Sequence, residues 1–287
     1  MTQAEGSVQE WETNWKTLAA AQKQLYVRET PRTMMQFWQR CYFEDLWSAM
    51  GDRAESASYI EIGAGRGTTS MYLAGRNCRV TMVDLSETAF RLARENFDRE
   101  NLRQPEFVIA DARSTHLPSN SFDCVFSIGL LEHFEDPRPL LSEAFRLLTP
   151  GGLLFMVVVS ARSENIKWLA RLMLCPWRLI RAFLGAVVRK GLERVPMQSA
   201  DTLYRTAYSR KDYERWLNEI GAEHVVATPY NPYHSVYCND RLNRLVALPV
   251  YRFHHALKRH FGCQPALRTL RHIAACDLLC ASKAVEP

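Results

Sequence analysis

A chain of 287 residues, 47% apolar and 23% charged, can bury a full α/β core, and that composition excludes a disordered or fibrous polymer. No uncharged apolar run reaches the roughly 18 residues that a membrane span needs, and no basic start precedes an apolar leader segment, so neither a spanning helix nor a signal peptide is expected. The net charge of +5 is uneven: residues 1–160 carry 16 Lys and Arg against 21 Asp and Glu, whereas residues 161–287 carry 20 against 10. A basic C-terminal portion suits an anionic or amphiphilic partner, although unevenly solvated charge gives the same count. The eight cysteines lack metal-ligand spacing, since Cys276 and Cys280, four apart, fit no usual zinc pair. They read as buried free thiols in a reducing cytoplasm, with no bound metal.

In chain order, residues 1–50 read as an N-terminal helical cap, with Trp11, Trp15 and Leu18, then Met35, Phe37, Trp38, Cys41 and Leu46, at roughly helical spacing. From residue 51 to 160, short apolar runs at 59–62, 80–83, 107–109, 124–128 and 153–159 alternate with helical stretches at 69–74, 87–98 and 139–148. Buried strands alternating with helices predict an α/β fold with a parallel sheet and helices on both faces. The rhythm breaks into an insertion at 161–205. It resumes over 206–287 with a helix at 209–220, stopped by Gly221, and a strand at 224–227. A second insertion fills 229–272, and the apolar run 273–282 reads as a closing strand.

The strongest local signal is Tyr59-Ile60-Glu61-Ile62-Gly63-Ala64-Gly65-Arg66-Gly67-Thr68, a strand that ends beside an acid and runs through three glycines into a helix. Glycine is needed where the backbone turns sharply and approaches a ligand with no Cβ in the way. Alone, this pattern suits several nucleotide binders. Asp84 closes the next strand about twenty residues later, where a carboxylate can accept two ribose hydroxyls or merely cap a helix beginning at Ser86. Asp111-Ala112 ends the third strand, with an acid for an adenine amino group and a small residue that leaves room for the ring. Leu117-Pro118, Ser121-Phe122-Asp123, Leu131-Glu132-His133 and Pro150-Gly151-Gly152 follow.

In this order over about 100 residues, 59–158, these segments resemble the successive motifs of class I S-adenosylmethionine (SAM)-dependent methyltransferases. A dinucleotide dehydrogenase would share only the glycine turn and the acid. The resemblance implies a Rossmann-like, doubly wound, seven-stranded, mostly parallel sheet whose last strand is antiparallel, with N-terminal helices and helical insertions after strands five and six. It implies S-adenosyl-L-methionine as cofactor and S-adenosyl-L-homocysteine as product. Carried over by position, Glu61 lies near the methionine moiety, and Gly63, Ala64 and Gly65 form the floor beneath the cofactor. Asp84, with Leu85 beside it, holds the ribose, Asp111 and Ala112 hold the adenine, and Ser127 and Ile128 face the methionyl part. Arg66 is expected to face solvent.

Methyl transfer from a sulfonium is an in-line displacement that needs chiefly alignment, and a base only where the acceptor must lose a proton. His133, just beyond the fourth strand, is the candidate for proton abstraction or acceptor positioning, against a plain role in holding its loop. Leu131 to Pro137, the insertion after strand five and Tyr230-Asn231-Pro232 resemble, more weakly, the ubiquinone-biosynthetic O-methyltransferases. Those enzymes carry a further Glu where this chain has Gly129, so no metal is expected. Tyr230, Tyr233 and His234 are candidates for an acceptor pocket or ordinary strand and loop residues. The leading expectation is methylation of oxygen or nitrogen on a small, apolar or lipid-linked acceptor. An RNA or protein methyltransferase and a non-catalytic SAM-binding protein stay open beside it, and the oligomeric state is not legible.

On one helix, residues 166–190 place Lys167, Arg171, Arg178, Arg181 and Arg189 within an arc of about 80° and leave nearly all other positions apolar. That is the pattern of a lid lying in a lipid interface with its cations at phosphates, although Pro176 kinks it and a lid folded onto the protein has the same face. Sedimentation with anionic liposomes is expected to carry down the wild type and to fail for a variant with Trp168, Arg171, Trp177 and Arg178 all changed to Ala. Indifference to lipid charge and to these substitutions would leave the segment a substrate cover alone.

Overall fold

Strands covered by helices on both faces must be apolar along their length, and the runs at 59–62, 80–83 and 124–128 meet that demand. The computed structural model describes residues 8–20, 24–159, 205–206, 208–230, 248–249, 251–256, 259 and 276–285. There these runs become β1 (Ser58–Ile62), β2 (Arg79–Asp84) and β4 (Phe122–Ile128). They are joined by β3 (Glu106–Ile109), β5 (Leu148–Val158), β6 (Ala222–Tyr230) and β7 (Cys276–Lys283) in one sheet ordered β3-β2-β1-β4-β5-β7-β6. The pairs among β1 to β5 are parallel, and β7 runs antiparallel to both β5 and β6. The chain thus adopts the expected doubly wound, seven-stranded Rossmann-like sheet.

The described helices are α1 (Val8–Ala20), α2 (Met34–Met50), α3 (Thr68–Ala74), α4 (Glu87–Arg99), α5 (Arg138–Leu147) and α6 (Arg210–Glu219). Thr33 starts α2 with a capping box, its hydroxyl accepting from the Gln36 N–H while the Gln36 side chain accepts from the Thr33 N–H. One core joins α2, α3 and α4 to one face of the sheet through Phe37, Leu46, Leu73 and Phe90. The other joins α5 and α6 to the opposite face through Leu141, Leu147, Tyr213 and Leu217. Cys41, Cys78, Cys124 and Cys276 are buried free thiols, and Cys280 is half-buried. β5 starts five residues before the expected strand, because Leu148 already pairs with Phe122 and a register shift before Cys124 absorbs the glycine turn. β6 likewise reaches Tyr230, overlapping the start expected for the second insertion.

The insertion at 161–205, including the amphipathic 166–190, lies outside the described residues except for Arg205, as does most of 229–272. Within the latter, residues 251–256 are helical, and the Tyr251 ring meets Phe37 edge-on at 5.9 Å. Among the described residues no helix is long and apolar enough to cross a membrane.

The loop between β3 and β4 is irregular, yet it is pinned from behind. Glu143 on α5 accepts from the Thr115 N–H at 2.8 Å and the Thr115 hydroxyl at 2.5 Å, and Arg146 grips the same carboxylate at 2.7 Å. Arg146 also donates to the Leu117 carbonyl and to Ser119. Arg146, and then the Thr115 donors, hold the Glu143 carboxyl down to about 2. A folded-state value below the unfolded one stabilises above the ordinary carboxylate range and loses that contribution as pH falls toward 2. Glu143→Ala is expected to destabilise the protein by about 1–3 kcal/mol, since it strands the buried Thr115 N–H. Denaturant titration at pH 7 and again near pH 3 should show the difference shrinking on acidification. An equal difference at both values would remove the carboxylate from this role.

Candidate functional site

The strand order reverses between β1 and β4, and in open α/β sheets the crevice at the carboxyl ends of such strands receives ligands. The glycine turn enters this crevice directly from β1. The Gly63 and Ala64 N–H groups donate to the Val83 carbonyl at 2.8 and 3.0 Å, which ties the loop to the tip of β2. Gly65 has φ +53 and its N–H donates to Asp84 Oδ2 at 2.7 Å. Gly67, at φ +64, starts α3 in the left-handed region that a side chain would strain.

Asp84 stands at the end of β2 and is held from two sides. Oδ2 takes the Gly65 N–H and Oδ1 takes the Ser86 N–H at 2.9 Å. Each carboxylate oxygen has a further acceptor site, so the pair can still receive two hydroxyls. Ser86, not Asp84, caps α4, its Oγ accepting from the Ala89 N–H. Desolvation raises the Asp84 carboxyl above its ordinary range against the pull of these backbone donors, and nearby Glu12 adds to the rise. Leu85 beside it is exposed at the crevice edge.

Glu61 is 4% exposed and accepts from the Ser70 hydroxyl at the start of α3. Burial, with the Asp84 charge adding to it, pushes its carboxyl up to about 8. Asp111 is instead held low by Arg113, whose guanidinium lies 2.7 Å from Oδ2 and whose N–H also donates to it. Ala112 is buried beside it.

On the other side of the crevice the Ser127 hydroxyl is buried with no hydrogen-bond partner, and Ile128 is half-buried. Gly129, at φ +73, turns the chain into a short helical turn, Leu131–His133. Glu132 is 2% exposed, and its Oε1 lies 3.9 Å from His133 Nε2. Burial raises this carboxyl to about 7 against the opposing charge of Arg205, while Oε2 has no hydrogen-bond partner.

Gly65 and Asp84 are joined directly, and Glu61, Asp84, Ser127 and Asp111 stand at or just past the carboxyl ends of β1, β2, β4 and β3, with His133 five residues beyond β4. Gly63 differs in detail: a Cβ there would meet Leu130 at 2.6 Å, so its bareness serves loop packing. Arg66, expected in solvent, is half-buried with its guanidinium 5.9 Å from the Trp15 ring. Tyr230 is a core residue, 3% exposed, its hydroxyl 2.5 Å from Asp45. Tyr233 and His234 lie outside the described residues. Three α1 residues at the crevice, Trp11, Glu12 and Trp15, carry no motif of their own; the only legible sign was their helical spacing.

An open seven-stranded sheet with β7 antiparallel between β5 and β6, a glycine turn after β1 and an acid at the tip of β2 is the Rossmann-like fold that the motif order implied for a methyltransferase. Residues 60–156 match the family described as "Methyltransferase domain". An uncharacterized methyltransferase of Mycobacterium tuberculosis is 37% identical over 110 residues, 38% of this chain and 54% of the relative. This match thus spans about half the relative's length. A ubiquinone biosynthesis O-methyltransferase of Pseudomonas aeruginosa is 27% identical over 181 residues, 60% of this chain and 68% of that protein. Among solved structures, the (4+2)-cyclase SpnF superposes with a TM-score of 0.61 at 15% identity, covering 99% of this chain and 98% of its own, a likeness of fold.

Glu61 provides a pH signature of the ligand-free site. The folded protein keeps this proton to about 8, whereas the unfolded chain releases it near 4.5. Rising pH across that window therefore withdraws stability from the wild type. Glu61→Gln, which keeps the Ser70 acceptor, is expected to gain on the wild type between pH 5 and pH 8 in denaturant titrations. A constant gap would mean that the carboxyl is already ionised at pH 5.

Proposed function

We propose that this protein is a SAM-dependent methyltransferase that modifies an oxygen or nitrogen of a small, apolar or lipid-linked acceptor. The observation that carries the cofactor half is Asp84, fixed by two backbone N–H groups at a strand tip with one acceptor site left on each oxygen. A ribose diol fits that arrangement. Glu61 and Ser127 suit the methionine end, since a buried acid and an unpartnered hydroxyl can take an ammonium and a carboxylate. The cofactor supplies a methyl group on a sulfonium, whose leaving group needs no protonation. The chain's part is alignment and exclusion of water.

His133 is the residue for the acceptor side. Its ring lies one turn beyond β4 and is 9% exposed, with the Glu132 carboxylate within 4 Å. An acceptor phenol would pass its proton to this imidazole as the methyl group arrives, and an amine, which attacks through its lone pair, would pass one from the resulting ammonium afterwards. The name of the Pseudomonas relative, a ubiquinone biosynthesis O-methyltransferase, favours an apolar, ring-bearing acceptor.

Two variants test the reading. By calorimetry, Asp84→Ala should lose about 1.5–3 kcal/mol of SAM affinity, roughly ten- to hundredfold. His133→Ala should keep that affinity and lose turnover, followed as label from SAM into a product isolated from fractionated cell extract. Unchanged affinity in the first variant removes Asp84 from the site. Full activity in the second removes His133 from the chemistry, and label appearing in RNA or protein moves the acceptor to a macromolecule.

A further inference from the structure

One face of α1 lies across the crevice. Trp15 stands four positions after Trp11 and three after Glu12, so it neighbours both and the three share an arc of about 100° on the helix. Trp15 lays its indole on Gly65: a Cβ built on that glycine would sit 2.4 Å from Trp15 Cζ2 and 2.5 Å from Cη2. Glu12 Oε1 accepts from the Ser86 hydroxyl at 2.7 Å and the Thr88 N–H at 3.3 Å, an acid docked on the positive end of α4. Trp11 meets the His133 ring edge-on, with centroids 4.9 Å apart and planes at 84°. The space that a bare Gly65 leaves for a ligand is filled by the protein's own indole.

We propose that α1 is a self-inhibiting cover whose Trp15 occupies the cofactor's place, so that docking of α1 and entry of the cofactor exclude each other. This rests on the assignment of Gly65 and Asp84 to the cofactor. A ligand that binds only the lifted state has its apparent affinity reduced by the fraction of molecules that are open. The docked helix also weakens the site electrostatically, because the Glu12 charge opposes ionisation of Asp84. When α1 lifts, Glu12, Trp15 and Trp11 release the α4 terminus, the glycine loop and His133 together.

The experiment compares S-adenosyl-L-homocysteine binding by the full chain, at equilibrium and by stopped flow, for wild type, Trp15→Ala, Trp15→Phe and Glu12→Gln. Trp15→Ala should bind about tenfold tighter and faster, as expected where roughly one molecule in ten is open. Glu12→Gln, which keeps every core contact, should move the same way by about threefold, and Trp15→Phe should fall between wild type and Trp15→Ala. Unchanged binding by Trp15→Ala and Glu12→Gln overturns the proposal while leaving the cofactor assignment intact. Weaker binding by Trp15→Ala also overturns it, making Trp15 a wall against bound cofactor. Absence of binding in every protein, wild type included, overturns the cofactor assignment and this proposal with it.

Discussion

The hydrogen bonds that Asp84 receives from the Gly65 and Ser86 N–H groups join two neighbouring strand–turn–helix units, β1 with α3 and β2 with α4. Parallel strands present their carboxyl ends at one edge of the sheet, and the turns at those ends are free of the ladder. A carboxylate there exchanges water for two peptide donors and still has acceptor sites to spare. Ser86 extends the junction to Glu12, so the first helix of the chain is fastened to the same turn. Loop, strand tip, helix cap and cover are mechanically one unit, which makes the geometry of the glycine turn sensitive to residues fifty positions upstream.

The site also concentrates carboxyl groups that resist ionisation. Glu61 and Glu132 flank the crevice on opposite sides, each almost fully buried and raised to about 8 and about 7. Buried acids of this kind destabilise the empty protein near neutrality, and they are retained where a cationic or proton-donating ligand compensates them. Glu143 is the contrast: it is just as acidic a residue, but its Arg146 and Thr115 partners are supplied by the fold itself. The Glu143 carboxylate is held ionised by its partners, and burial outweighs the partners of the other two.

Much of this was legible before any coordinates. The glycine turn, Asp84 and the apolar runs of β1, β2 and β4 announced themselves because backbone conformation and two-sided burial restrict residue type severely. His133 is a candidate by its distance from β4 rather than by any signature of its own. What stayed hidden depended on contacts between distant segments. Thr115 gives no hint that Glu143 will hold it, and Trp15 looks like any aromatic residue on an amphipathic helix. Arg66 was misread for the same reason: beside two glycines it has every sign of a solvated loop cation, until an indole from another part of the chain is laid over it. Tyr230 belongs here too, its phenol drawn into the core by Asp45 on α2.

The position of β7 carries a consequence for how the molecule comes into being. Among the described strands β6 pairs only with β7, and β7 is itself wedged between β5 and β6. As the chain leaves the ribosome, β1 to β5 can assemble in the order of their synthesis, but β6 has no neighbour until residues 276–283 emerge. Until then β5 presents an open, apolar edge, an inviting template for another nascent chain. Completion of the sheet is therefore a late, long-range event, and the half of the protein that carries the crevice is built before the half that seals its flank.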